Sequence, residues 1–172
     1  MEKKQTHIMY GFISGIAMVI ISLILYVTGQ TFKTGMSYIA YVPFVIGVIL
    51  NGIAYSKAND GFVTFGNIFG SCFKTSMIVA IVVVFWSIIS MFIFPEMKDK
   101  AIEYARETMA KNPKMTDEAM DMSINVMKKY FNAFMIAGAL FGTLFYGAIF
   151  SLIGAAVGQK KGPQPMQVGD NF

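Results

Sequence analysis

The chain has 172 residues, 55% of them hydrophobic and 14% charged, with a formal net charge of +4 and a mean hydropathy of +0.57. Soluble domains carry roughly 25% charged residues, so the shortfall points to a lipid-facing surface and away from an ordinary soluble bundle. A single cysteine, Cys72, excludes an intramolecular disulfide and a multi-cysteine metal site, and the lack of a basic stripe argues against a nucleic-acid partner.

Four stretches contain no Asp, Glu, Lys or Arg: Ile8 to Thr28, Met36 to Tyr55, Met77 to Phe94 and Phe131 to Gly158. At ~1.5 Å per residue the first covers about 31 Å, close to the hydrocarbon core of a bilayer. They are apolar all round, and in lipid a helix satisfies its own backbone. The expected fold is all-α: an integral membrane four-helix bundle with spans at about 8–28, 36–55, 72–94 and 131–158, forming one transmembrane domain over residues 1–158. The alternation required of a β-barrel is missing.

Ile8 to Thr28 follows Lys3 and Lys4, as a signal peptide would, but no small-x-small cleavage site follows Val27. It is read as the first span, with Gly11 and Gly15 forming a GxxxG. Span two contains Pro43, a candidate kink, and then Asn51, Gly52 and Tyr55, the most polar intramembrane group. Tyr38, Tyr41, Ser14 and Ser22 are possible additions to that group. Interhelical hydrogen bonding and interfacial tyrosines account for it; a polar permeation path is the alternative.

Asp60-Gly61 marks a turn and Thr64 a helix cap. Phe62, Phe65, Phe69 and Phe73 then share a face, fitting either a helix lying at the interface before span three or packing on neighbouring spans. Cys72 is expected to pack as a small hydrophobe.

The third loop, about 96–130, is expected to form an extramembrane amphipathic helical hairpin broken at Asn112-Pro113. Its first half offers Met97, Ala101, Tyr104 and Thr108 on one face. In the second, Met120, Ile124, Met127, Phe131 and Phe134 follow at the spacing of a coiled-coil seam. Thr116 is the expected N-cap, with Asp117 and Glu118 complementing the helix dipole. Pro95 predicts a kink or break after span three, whereas nothing separates the second hairpin helix from span four. Span four has Gly138 and Gly142, then Gly147, Ser151, Gly154 and Gly158 in line, faces that seat a helix of the same chain or of another protomer. The tail, 159–172, is expected to be disordered.

Both termini are expected inside. Lys3, Lys4, Lys57, Lys74, Lys160 and Lys161 then face Lys33 and the seven bases of the third loop across the membrane, six against eight, and the third loop's own bases are matched by seven acids.

No convergent set of His, Cys, Asp or Glu lies in the spans. His7 reads as an interfacial residue, and no catalytic, cofactor-binding or metal-binding residues are expected. The run of two spans joined by a short loop, Asp60-Gly61-x-x-Thr64-Phe65-Gly66, Phe69, Phe73-Lys74, Phe94-Pro95-Glu96, a charged helical insert and a Gly-rich last span resembles the bacterial domain-of-unknown-function family 4199, from about Thr6 to Gly158. The resemblance implies an inner-membrane four-helix architecture and no catalytic residues. The expected function is therefore non-enzymatic interaction, with the lipid bilayer and a protein partner or second copy engaged through the hairpin or the Gly-rich spans. A small oligomeric channel or transporter is the alternative, and a lipid-acting membrane enzyme a second.

Overall fold

The computed structural model describes residues 5–33, 35–61 and 63–159. Within them the chain is helical: α1 (His7–Val27), a 3₁₀ turn (Met36–Tyr41), α2 (Val42–Ala58), α3 (Phe65–Ile93), α4 (Met97–Ala110) and α5 (Asp117–Gly158). Four segments, α1, the 3₁₀ turn with α2, α3 and α5, are long and apolar enough to cross a membrane. They belong to a multi-pass membrane protein. In cross-section the spans form a rhombus, with α2 and α3 in contact along the short diagonal and α1 and α5 on opposite flanks.

The helix ends follow from local chemistry. The Thr64 and Thr116 side chains accept the N–H groups of Asn67 and Ala119, each at 3.3 Å, capping α3 and α5 as the sequence predicts. Helix α2 ends in a Schellman closure, in which Gly61 N–H reaches the Ser56 carbonyl at 2.9 Å and Asp60 N–H the Lys57 carbonyl at 3.2 Å. Asp60 sits in the left-handed region at φ 58°, which Asp tolerates better than most side chains.

Several boundaries differ from the sequence reading. Pro43 lies in the first turn of α2, where its missing N–H costs nothing, so no mid-span kink arises. Helix α3 is unbroken from Phe65, so among the described residues there is no separate interfacial helix before it. Phe69 packs on the core and stacks with Phe73 at 6.0 Å, while Phe62 lies outside the described residues. The break expected at Pro95 is present: Phe94 leaves helical geometry at φ −126°, ψ 66°, and α4 starts at Met97. Helix α5 continues from the polar segment into the span but kinks at Tyr130 (φ −112°, ψ 18°). Lys3, Lys4, Lys160, Lys161 and nearly all of the tail expected to be disordered also lie outside the described residues.

The bundle core mixes apolar side chains (Phe44, Val48, Ile68, Cys72, Val79 and Ala155) with buried Ser and Thr. Most of these hydroxyls bond within their own helix: Thr75 to the Ser71 carbonyl at 3.2 Å, Ser87 to that of Val83 at 2.8 Å and Ser151 to that of Gly147 at 2.6 Å. A residue that satisfies itself in this way acts as a small spacer, which is what close packing in lipid requires.

Candidate functional site

Of the polar group expected in span two, Asn51 is fully buried and lies at the centre of a three-helix network. Thr6, just before α1, donates its hydroxyl to Asn51 Oδ1 at 2.5 Å, and Asn51 Nδ2 donates to Ser71 Oγ on α3 at 3.1 Å. Cys72 Sγ lies 3.9 Å from the same amide and donates to the Val48 carbonyl at 3.4 Å. The amide thus has partners on both its oxygen and its nitrogen. Tyr38 and Tyr41 lie at the other end of the span, and the Tyr41 and Tyr146 rings meet at a 60° tilt with centroids 5.4 Å apart. Ser14 packs against Gly47, and no bond links it or Ser22 to Asn51 among the described residues.

The glycine faces divide into two kinds. Gly11 and Gly15 lie against Ile78 and Val82 of α3, where an added Cβ would sit 2.7 and 2.9 Å from theirs. On α5, Gly154 and Gly158 cross Gly52 of α2 backbone to backbone: a Cβ on Gly158 would lie 2.6 Å from the Gly52 carbonyl oxygen, and one on Gly52 would overlap that of Gly154. These faces serve the chain's own packing. Gly138 and Gly142 differ, since an added Cβ there meets nothing within 4 Å.

At the far end of the bundle, α4 lies along the first part of α5. Ile102, Ile124 and Phe131 are buried together, with Ala105, Met109, Met120 and Met127 around them. The seam predicted for α5 is therefore used as far as Phe131, but Phe134 is 56% exposed because it follows the kink at Tyr130. On α4 the inward residue is Ile102, which the sequence reading missed. It is the only isoleucine, leucine or valine in that helix, and that was the available signal. Thr108 spends its hydroxyl on the Tyr104 carbonyl at 2.8 Å and stays exposed. The Arg106–Asp121 pair at 3.0 Å is solvent-facing and adds little.

This layer is tied to the end of α1 and the loop after it. The Tyr26 hydroxyl donates to Glu96 Oε1 at 2.6 Å, Lys100 Nζ stands 5.1 Å over the Tyr26 ring, and the Phe32 and Tyr104 rings are 5.4 Å apart. The Tyr26 hydrogen bond, helped by Glu96's own backbone N–H and by Lys100, holds the Glu96 carboxyl below its ordinary value. Between loop and layer a groove of about 430 Å³ opens, lined chiefly by Phe32, Tyr104, Met127, Phe131, Phe134 and Met135. Among the described residues no cluster of His, Cys, Asp and Glu is placed to hold a metal.

A model of the family described as "Protein of unknown function (DUF4199)" matches residues 9–160. The chain belongs to this family. The match to DUF4199 runs from within α1 to just past α5 and includes the α4 insert between α3 and α5. Neither a curated protein nor a solved structure matches the chain.

Proposed function

We propose that the chain is a non-enzymatic protein of the inner membrane that works by interaction, binding an apolar segment of a partner protein in the groove between the α1–α2 loop and the α4–α5 layer. Supporting this is the groove's lining: methionine and aromatic side chains on a scaffold fixed by the Tyr26–Glu96 and Phe32–Tyr104 contacts. Methionine adapts to varied apolar shapes, and aromatic rings supply contact area at low entropic cost. A second apolar strip on α5, of Met122, Val126 and Tyr130, is exposed beside it. The Asn51 amide, the best candidate for a polar path, is spent on helix-to-helix bonds, which favours interaction over permeation.

In this reading the α4–α5 layer stands outside the bilayer as a helical hairpin and both termini are cytoplasmic. Lys57 and Lys74 then face the anionic inner leaflet, while the layer's seven bases are offset by seven acids. A photo-crosslinking residue at Tyr104 should give an adduct of discrete mass, and one at lipid-facing Phe85 should not. A cysteine at Lys111 in a Cys72→Ser background should react with an impermeant maleimide on intact cells. No adduct from Tyr104, together with unchanged co-purifying partners after residues 97–129 are removed, would sink the proposal.

A further inference from the structure

At the opposite end of the bundle a second groove, of about 330 Å³, lies between the start of α1 and the first turns of α3. Gln5, His7, Tyr55, Asn67, Ser71 and Lys74 line it, and among the described residues no carboxylate does. Lys74 is the one charged residue among the 29 of α3, and among the described residues it has no ion-pair partner. A lone charge in a membrane helix is expected to have a counter-ion or a function.

The neutral groups around it are donors left in reserve. Ser71 is 5% exposed and accepts the Asn51 amide, so its own proton has no acceptor among the described residues. Tyr55 is 8% exposed and Asn67 half-buried, and among the described residues neither side chain makes a hydrogen bond. Gly66 and Gly70 form a bare stretch of wall, where an added Cβ would meet nothing within 4 Å. The positive end of the α3 dipole lies at the same place.

Depth narrows the ligand class. At ~1.5 Å per residue α3 is about 43 Å long against a ~30 Å hydrocarbon core, and Lys74 is about 14 Å from Phe65. That places the groove at the headgroup boundary, with exposed Met77 one turn further towards the acyl chains. A lysine that only snorkels needs no ring of buried neutral donors. We infer that this groove binds the phosphate of an anionic phospholipid, with Lys74 and His7 facing the charge and Ser71, Tyr55 and Asn67 donating to its oxygens.

The test is native mass spectrometry of the full chain in detergent with phosphatidylglycerol, phosphatidylcholine or inorganic phosphate as probe. One phosphatidylglycerol per chain should be retained, about tenfold or more over phosphatidylcholine, and Lys74→Gln should weaken it about tenfold, the loss of one charge-assisted contact. Gly70→Leu, which fills the groove without removing a donor, should do the same, while Lys129→Gln at the other end should change nothing. Inorganic phosphate binding as tightly as the lipid and equally dependent on Lys74 would overturn the lipid assignment in favour of the free anion. Equal retention of phosphatidylcholine, or wild-type retention by both groove variants, would overturn the site itself.

Discussion

Replacing Gly52 with alanine tests the packing that joins α5 to the rest of the bundle. The new methyl group would run into the backbone of Gly154 and come within 3.2 Å of Cys72 Sγ. Neither helix backbone can yield locally, so α2 and α5 must separate, and overpacking of this kind costs about 1–3 kcal/mol. On the scale of roughly 2–4 °C per kcal/mol for a chain of this length, the melting temperature should fall by about 2–12 °C. Gly138→Ala is the matched control, because its methyl meets nothing and Ala is the better helix former by about 0.5–1 kcal/mol. Cys72 is fully buried and is the only cysteine, so a thiol-reactive fluorogenic maleimide followed during heating reports the opening of this interface, with circular dichroism as a second probe. If Gly52→Ala melted with the wild type while Gly138→Ala melted early, the crossing would be in the wrong place and the arrangement of α5 with it.

Other perturbations separate local from global effects. Asn51→Ala removes bonds to both Thr6 and Ser71 and should cost about 1–2 kcal/mol, with faster alkylation of Cys72 at constant temperature. Ile124→Ala, at a site 1% exposed, should cost about 2–4 kcal/mol, seen as faster hydrogen exchange in residues 97–110 while the spans keep their protection. The Tyr26–Glu96 bond should weaken with acid: Glu96 has a lowered value in the folded chain, so its contribution is present above the ordinary 4.5 and is lost as pH falls further through the depressed value. A Glu96→Gln variant should show a smaller change in α4 exchange over that range, and an identical change would refute the assignment.

Long charge-free runs made the spans legible, because a polar residue facing lipid is costly enough to be absent. Caps were equally readable, since Thr64 and Thr116 precede helices whose first N–H groups need an acceptor. The Asn51 network was half legible: its sequence position marked it as polar and buried, but the partners Thr6 and Ser71 are 45 and 20 residues away, and only assembled helices bring them together. Ile102 was missed because α4 is short and its alanines blur the apolar face. The groove beside Lys74 escaped because its donors come from before α1, the end of α2 and the start of α3, each ordinary alone.

The rhombic cross-section has a consequence for biosynthesis. Every atom of the Asn51 network belongs to the first 72 residues, so it can close while the ribosome is still making α5. Helix α5 arrives last, at a surface on α2 and α3 already fixed in place, where Ser76 offers its hydroxyl to the Gly147 carbonyl at 3.3 Å and Gly52 leaves room for Gly154. The final span thus docks onto a finished template, and a nascent chain stalled before Gly147 should already hold its first three spans in register.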